Sequence, residues 1–294
     1  MRMLSPSLRQ VRQRRAAFAA RPNRPIEDRG RGREVKLPHS VPLGVICAMP
    51  EEIEHLAAAT EVEIGGGETR IGGFVFRSGR LDGRPVVLVE SGIGKVSAAH
   101  VATLLLDRFG CRSLVLSGVA GGLDPDLGIG DVVVAERLIQ HDYGAMVDGE
   151  LRHFRPGVVP LGESRHDPVY RLAEDLRDRI GRALDGFVLP TLPAAATGGE
   201  ARRPRLVFGT VLTGDQFINC EATRRRLFDR FDGHAVEMEG AAVAQVAERY
   251  GAPCVIVRSL SDLAGGESHM DIATFLHSAA AQAAAVVRRI LPAL

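Results

Sequence analysis

Two apolar segments near the end of the chain each lead into acidic side chains. Segment 235–239 ends in Glu237 and Glu239, and segment 254–262 ends in Asp262. Burying a carboxylate near an apolar core costs free energy, so a carboxylate at such a place is usually hydrogen-bonded or serves in binding or catalysis. Ligand crevices in α/β sheets form at the carboxyl ends of strands. These acids are therefore where we expect the chemistry of the protein.

Three glycine-rich turns follow other apolar segments, at 91–95, 117–122 and 213–217. Glycine lets the backbone approach a ligand closely, and a helix start beyond it offers free N–H groups. None of the turns has the spacing of a dinucleotide fingerprint or a P-loop. No group of His, Cys and Asp has zinc or iron spacing. The sequence therefore predicts neither a cofactor nor a metal.

Strand and helix patterns alternate from Val41 onward, which is typical of βαβ units around a parallel or mixed sheet. The predicted strands are 43–47, 73–77, 85–90, 113–117, 131–138, 206–212, 235–238 and 254–258. The predicted helices are 51–59, 95–109, 168–184, 222–231, 239–250 and 272–291. A sheet covered by helices on both faces gives three layers. The proline- and alanine-rich stretch 189–205 reads as a surface loop.

Charge divides the chain into a basic tail and an acidic body. Residues 1–40 carry 11 Lys and Arg against three acidic residues, and residues 41–294 carry 26 against 33. We interpret 1–40 as a disordered tail because it cannot bury enough apolar surface; a transit-peptide-like helix and a start codon assigned too early are the alternatives. An acidic body argues against nucleic-acid binding. We interpret 41–294 as one catalytic domain.

The apolar segments are too short to span a membrane, and no secretory signal pattern is present. We therefore expect a cytoplasmic protein with no membrane partner. Its four cysteines are widely spaced, which favours reduced thiols over disulfides.

Six motifs occur in an order that resembles the bacterial 5′-methylthioadenosine/S-adenosylhomocysteine nucleosidases of the nucleoside phosphorylase superfamily. They are 44–52, 91–96, 118–123, 213–218, 236–239 and 258–262, and the resemblance spans residues 41–294. It implies an α/β fold, a three-layer αβα sandwich around a mixed central sheet, open at its edges. It also implies hydrolysis of the N-glycosidic bond of an adenosine-type nucleoside such as 5′-methylthioadenosine, S-adenosylhomocysteine or 5′-deoxyadenosine.

The resemblance assigns two catalytic roles. Cleavage of a ribosyl–adenine bond passes through an oxocarbenium-like state, so the base must leave protonated and water must reach C1′. Asp262, next to Ser261, matches the acid that protonates adenine N7, which requires a raised pKa. Glu52 matches the residue that positions and activates water. Taken alone, Glu52 reads as an acid that complements the dipole at a helix start, and Asp262 as a turn or cap residue. Their joint fit to the ordered motifs favours the catalytic roles.

The resemblance also implies a binding set. Glu239 matches the acceptor of the ribose hydroxyls and Met238 the packing on the sugar face, while Phe217 and the backbone of Ile218 match the purine contacts. The remaining candidates are Met49, Val119, Glu237 and Ser261. Arg258 is interpreted as a buried partner of one of the carboxylates. His141 and Asp142 read either as part of the pocket wall or as a satisfied loop pair.

Hydrolysis is favoured over phosphorolysis because related phosphorylases hold phosphate with arginines at positions occupied here by segment 50–52 and by Leu116. A purine nucleoside phosphorylase, a futalosine-type hydrolase and a catalytically silent nucleoside-binding protein stay open. Val119 stands where the family usually has Ser or Thr, and segment 143–157 departs from the family pattern beside the 5′-substituent. The identity of the 5′-group is therefore open.

The resemblance implies a homodimer whose partner subunit completes the 5′-substituent pocket. Segment 143–154 is the candidate for the shared wall because it carries five large apolar side chains. These are Tyr143, Met146, Val147, Leu151 and Phe154.

Overall fold

The computed structural model describes residues 41–62, 67–158, 167–196, 201–266 and 268–294. The tail 1–40 lies outside these ranges, so its disorder stays a prediction. Part of the predicted loop, residues 197–200, also lies outside them. The described residues belong to the compact unit Pro38–Leu294.

The described ranges contain thirteen strands and six α-helices. The strands are β1 Leu43–Cys47, β2 Thr60–Val62, β3 Glu68–Ile71, β4 Phe74–Leu81, β5 Arg84–Glu90, β6 Ser113–Gly122, β7 Val132–Gln140, β8 Gly144–Val147, β9 Glu150–His153, β10 Val169–Arg171, β11 Leu206–Thr213, β12 Ala235–Glu237 and β13 Cys254–Asp262. The helices are α1 Pro50–Ala58, α2 Lys95–Asp107, α3 Glu174–Leu184, α4 Glu221–Phe231, α5 Gly240–Tyr250 and α6 Ser268–Ile290.

Eleven of these strands form one mixed sheet. β1 pairs in parallel with β5 and β6, and β4 continues the sheet antiparallel to β5. On the other side of β1, β6 pairs with β13, and β13 pairs with β7. β7 pairs with β11, β11 pairs with β12, and β12 pairs with β6 again. These five strands therefore close into a ring, whereas the resemblance implied a sheet that is open on this side. Among the described strands, β10 lies at the edge beside the ring and pairs with β7 alone.

Helices cover both faces of the sheet and give the predicted three layers. Side chains of β1 alternate between two cores, as the period of a strand requires. Ile46 packs with α2 and α5 in one core. Val45 and Cys47 pack with α1, α3 and α6 in the other. The three-layer fold class is confirmed.

The predicted helix 168–184 was wrong in its first part. Residues Val169–Arg171 form β10, which pairs antiparallel with β7, and the helix begins only at Glu174. The aromatic and β-branched side chains of Tyr170 and Val169 favour a strand, and both are buried there. Tertiary pairing therefore outweighs the helical pattern that continues into α3.

Two strands continue through segments that looked like turns. β6 extends through the glycine-rich segment to Gly122, and β13 extends to Asp262. Each supplies hydrogen-bond partners for the other, since they pair in parallel along most of their length. The register shifts between Leu260 and Asp262 because Ser261 is an extra residue. A bulge of this kind re-aims side chains at a strand end.

Segment 143–157 is mostly a hairpin and not a loop. β8 and β9 pair across Asp148 and Gly149, which both have positive φ, as a tight hairpin turn requires. Met146 is 69% exposed, but Phe154 is buried. The expectation that Phe154 lies on the exposed wall was therefore wrong, because its ring packs inward beyond the hairpin.

No helix in the described part of the chain is long and apolar enough to cross a membrane. All four cysteines are free; Cys47 and Cys111 are buried, whereas Cys220 is exposed.

Candidate active site

A pocket opens at the carboxyl ends of the central strands. The turn after β1, the end of β6, the turn after β5, the segment after β11, and the ends of β12 and β13 all contribute to it. Its lining residues among the described positions are Ala48, Met49, Glu52, Ile93, Val119, Ala120, Gly121, Phe217, Val236, Glu237, Met238, Glu239, Ser261, Asp262 and Ile272. Nine of the ten site residues predicted from the sequence are in this set, so residues from five separate motifs meet in one place.

Three carboxylates surround one buried guanidinium below the pocket. Arg258 is fully buried, and its Nη2 donates to Glu237 and, at 2.9 Å, to Oε2 of Glu239. Its Nη1 lies 3.6 Å from Oε1 of Glu52. The expectation that Arg258 partners a carboxylate agrees with these contacts.

Burial, together with an excess of negative charge, shifts the protonation of this cluster. Burial raises the pKa of Glu239 to about 7, with Arg258 opposing and Glu237 adding to the shift. Burial also raises the pKa of Glu52, opposed by Arg258 and by backbone N–H groups. The three acids hold the pKa of Arg258 above its usual value although burial alone would lower it. Because one cation cannot neutralise three anions, the cluster tends to retain a proton.

Glu52 is fixed by backbone donors from two chain segments. Its Oε2 accepts N–H groups of Ala48 at 2.6 Å and Met49 at 3.0 Å, and its Oε1 accepts the N–H of Val119 at 2.8 Å. The bond from Met49 is half of a capping box at the start of α1, where Pro50 takes the first helical position. The backbone of Val119 thus supplies a polar contact although its side chain has no hydroxyl.

Asp262 lies in a different electrostatic environment. Its side chain is buried, and its oxygens accept the N–H of Ala264 at 2.8 Å and the hydroxyl of Ser261 at 3.1 Å. Asp262 forms no ion pair within 4.0 Å with any basic residue in the described part of the chain. Burial is the main cause that raises the pKa of Asp262, and hydrogen bonds to its carboxylate oppose it. The raised pKa that the sequence required is therefore present.

Glu237 lines the pocket, but protein groups occupy both of its oxygens. They accept the hydroxyl of Thr213, the N–H groups of Glu239 and Gly240, and the guanidinium of Arg258. This carboxylate therefore closes the start of α5 and orients Arg258. The expectation that Glu237 binds substrate is less well supported than this positioning role.

Ile218 is the predicted site residue that lies outside the described pocket lining. Its side chain packs with Leu123, Leu212 and Leu227 instead. The predicted contact was through its backbone, and that stays a prediction. Sequence reasoning missed the lining residues Ile93 and Ile272. Ile93 could have been found because it lies inside the glycine-rich turn 91–95.

Within the described ranges no group of three or more His, Cys, Asp or Glu side chains is arranged to hold a metal ion.

Gly118 allows Arg258 and Glu52 to approach the backbone of β6. A Cβ at this position would lie 2.2 Å from Arg258 Nη1 and 2.3 Å from Glu52 Oε1. We expect Gly118→Ala to displace this pair and to lower both the melting temperature and the activity, with a stability loss of about 1–3 kcal/mol. Thermal denaturation and an activity assay measure the effect.

Gly181→Ala is the matched control for that substitution. Gly181 lies inside α3, and a Cβ there would meet nothing within 4 Å. This change should stabilise the protein by about 0.5–1 kcal/mol through helix propensity. Equal behaviour of the two variants would contradict the close approach at Gly118.

Known proteins resemble this chain over nearly all of the part that follows the tail. The family model described as "Phosphorylase superfamily" matches residues 42–292. The 5′-methylthioadenosine/S-adenosylhomocysteine nucleosidase of Mycobacterium tuberculosis is 46% identical over 255 residues, which cover 87% of this chain and 98% of that protein. The chain belongs to the phosphorylase superfamily and, within it, to the 5′-methylthioadenosine/S-adenosylhomocysteine nucleosidase family.

Solved structures agree on the fold. The nucleosidase of Colwellia psychrerythraea in complex with adenine has a TM-score of 0.71 at 32% identity, covering 88% of this chain and 97% of that one. The futalosine hydrolase of Helicobacter pylori has a TM-score of 0.71 at 30% identity, covering 86% and 98%. The family resemblance stated from the motifs is confirmed.

Proposed function

We propose that this protein hydrolyses the N-glycosidic bond of an adenosine-type nucleoside and releases adenine. The observation that carries the proposal is the lining of one pocket by Glu52 and Asp262, two buried carboxylates with raised pKa, and by no Arg, Lys or His among the described residues. Two carboxylates in different environments suit one acid and one base.

Asp262 serves as the general acid. Its burial away from a cation favours the protonated form, which can deliver a proton to N7 of the departing adenine. Ser261 donates to one of its oxygens, and the N–H of Ala264 holds the other. These bonds orient the carboxyl group toward the pocket.

Glu52 serves as the base that positions water, and its three backbone bonds fix the carboxylate in place. Glu239 accepts the ribose hydroxyls. Each of its oxygens takes one protein donor, from Arg258 or from the N–H of Gly94, which fixes the carboxylate and leaves acceptor capacity on both oxygens. Met238 and Phe217 supply apolar surfaces for the sugar and the base. Phe217 is 50% exposed, which leaves its ring available to stack on a purine.

Water, and not phosphate, is the expected nucleophile. Phosphate requires cationic donors, usually Arg. Among the described residues, Arg258 is the cation beneath this pocket, and three carboxylates already engage it. Glu52 beside the same space would repel an anion, so the pocket favours a neutral nucleophile.

An adenine-release assay tests the proposal. Purified protein is incubated with 5′-methylthioadenosine, with and without inorganic phosphate, and the products are separated by chromatography. Free adenine and a non-phosphorylated sugar in both conditions support hydrolysis. A sugar 1-phosphate formed only with phosphate would identify a phosphorylase, and calorimetric binding without products would identify a silent nucleoside-binding protein.

A futalosine-type nucleoside is the second candidate substrate, supported by the structural similarity to the Helicobacter pylori futalosine hydrolase. The same assay with futalosine, S-adenosylhomocysteine and 5′-deoxyadenosine compares kcat/KM across the 5′-groups. Preference for futalosine would replace the adenosine-type assignment, while the reaction class would stay the same.

We also propose that the protein is a homodimer that works in the cytoplasm. Five large apolar side chains are exposed on the hairpin and around the pocket mouth: Ile93, Val96, Met146, Val147 and Phe217. Ile93 and Phe217 also line the pocket, so a partner subunit that covers them would complete it. Sedimentation at micromolar concentration should give about twice the chain's 31.6 kDa. A fully active monomer would contradict the shared pocket.

A further inference from the structure

Three turns at the pocket mouth are joined by ionic and backbone hydrogen bonds. Lys95 ends the turn after β5 as the first residue of α2, the turn after β7 carries Asp142, and the turn after β11 carries Asp215. We call Lys95, Asp142 and Asp215 the three-turn network. In sequence its members are 47 to 120 residues apart, so it connects separate strand ends of the sheet.

The network is closed on itself. Lys95 Nζ donates to Asp142 Oδ1 at 2.6 Å, and the N–H of Asp215 donates to Asp142 Oδ2 at 2.8 Å. The N–H of Lys95 donates to Asp215 Oδ1 at 2.9 Å, and Lys95 Nζ lies 3.6 Å from Asp215 Oδ2. Each member therefore bonds both others.

Helix stability does not explain a lysine at this position. Lys95 is the first residue of α2, where a cation opposes the helix dipole, and the first turn of α2 contains no acidic residue. Its side chain is only 16% exposed. The chain otherwise uses arginine, since only two of its 37 Lys and Arg residues are lysines. A compact ammonium group fits a site where one cation must reach two carboxylates.

The network lies next to two groups that the proposed reaction uses. The residue before Lys95, Gly94, donates its N–H to Glu239 at 2.7 Å. Phe217 follows Asp215 by two residues and lines the pocket. Burial acts to raise the pKa of Asp142, but the bonds from Lys95 and Asp215 outweigh it and hold that pKa below its usual value. Asp142 is therefore an anion that Lys95 can hold.

We propose that Lys95 is a positioning residue that fixes the ribose side and the base side of the pocket relative to each other. It does so by tying the turn that orients Glu239 to the turn that carries Phe217. The inference deepens the proposed function and depends on it for its kinetic test. His141 and Asp142, for which the sequence left two interpretations, then differ in role: Asp142 belongs to the network, and neither is in the described pocket lining.

Lys95→Met removes the charge and keeps the apolar stem. Glu239 and Phe217 contact the substrate before and during reaction, so their misplacement should raise KM about tenfold and change kcat by less than about threefold. General destabilisation would instead lower the active fraction and leave KM unchanged. Lys95→Arg should recover part of the lost affinity, and Asp142→Asn should reproduce the effect of Lys95→Met.

Amide exchange provides a readout that needs no turnover. In Lys95→Met, segments 93–96 and 214–217 should both exchange about tenfold faster, because the ammonium group holds Asp142, which in turn accepts the N–H of Asp215. The backbone bond from Lys95 to Asp215 is kept in this variant, so the change reports the side chain alone. Arg177→Met is the matched control: Arg177 bonds Glu136 at 2.6 Å and joins α3 to β7 away from the pocket. It should alter neither segment and leave KM at the wild-type value.

The outcomes separate the two proposals. A wild-type protein that releases no adenine would contradict the proposed function, while the exchange measurement would still decide whether Lys95 couples the turns. Unchanged exchange in either segment would overturn the positioning role. Unchanged KM in both Lys95→Met and Asp142→Asn, with active wild-type protein, would also overturn it.

Discussion

Asp262→Asn is expected to lower kcat by about 10²-fold or more while substrate binding is largely kept. Asparagine preserves the size of the side chain and can still accept the N–H of Ala264, which lies 2.8 Å from Asp262 Oδ1. It has no proton to transfer to the departing base. Steady-state kinetics with 5′-methylthioadenosine give kcat, and calorimetry gives the affinity.

The pH profile sharpens this test. An acid must be protonated to act, so kcat should fall as pH rises through the raised pKa of Asp262 in the complex. The residual activity of Asp262→Asn should lack this fall. Asp82→Asn is a control because Asp82 is a surface partner of Arg288. A kcat close to the wild-type value in Asp262→Asn would contradict the general-acid role.

The parts of the fold that depend on local pattern were predictable. β1 matches its predicted bounds, since five consecutive residues are buried between two helical layers. α2 begins at Lys95 as predicted, after a glycine with positive φ. The closure of β6, β13, β7, β11 and β12 into a ring was not predictable, because it depends on which distant strands pair. A short strand such as β12 gives no signal of its partners.

The candidate site also has a part that was predictable from the sequence and a part that was not. Glu52, Glu239 and Asp262 were predicted from ordered motifs that carry their types and spacing. All three line the pocket, and their roles stay predictions. The bonds around Arg258 were only partly predicted. The apolar strand around Arg258 indicates that it is buried and paired, but the sequence does not show how many carboxylates face it. Glu237 and Glu239 are two residues apart and look equivalent, yet one bonds helix α5 and the other faces Gly94. Only the path of the backbone distinguishes them.

Arg258→Met is expected to be the most destabilising of the substitutions considered for this site. It would leave Glu52, Glu237 and Glu239 buried without the cation that they share. Removal of one partner from a buried ionic cluster costs about 3–5 kcal/mol. Chemical denaturation measures the loss. Arg288→Met is the matched control because its pair with Asp82 is largely exposed, and it should cost at most about 1 kcal/mol.

The loss in Arg258→Met should also depend on pH in a defined direction. The pKa values of Glu52 and Glu239 are already raised in the folded protein, that of Glu239 to about 7. Groups with raised folded-state pKa favour folding at low pH, and that contribution is lost as pH rises through the folded pKa. Without Arg258 these pKa values rise further, so the variant should approach wild-type stability near pH 5 and differ most near pH 8. A difference in the free energy of unfolding that is constant with pH would show that the carboxylates do not depend on Arg258 for their charge.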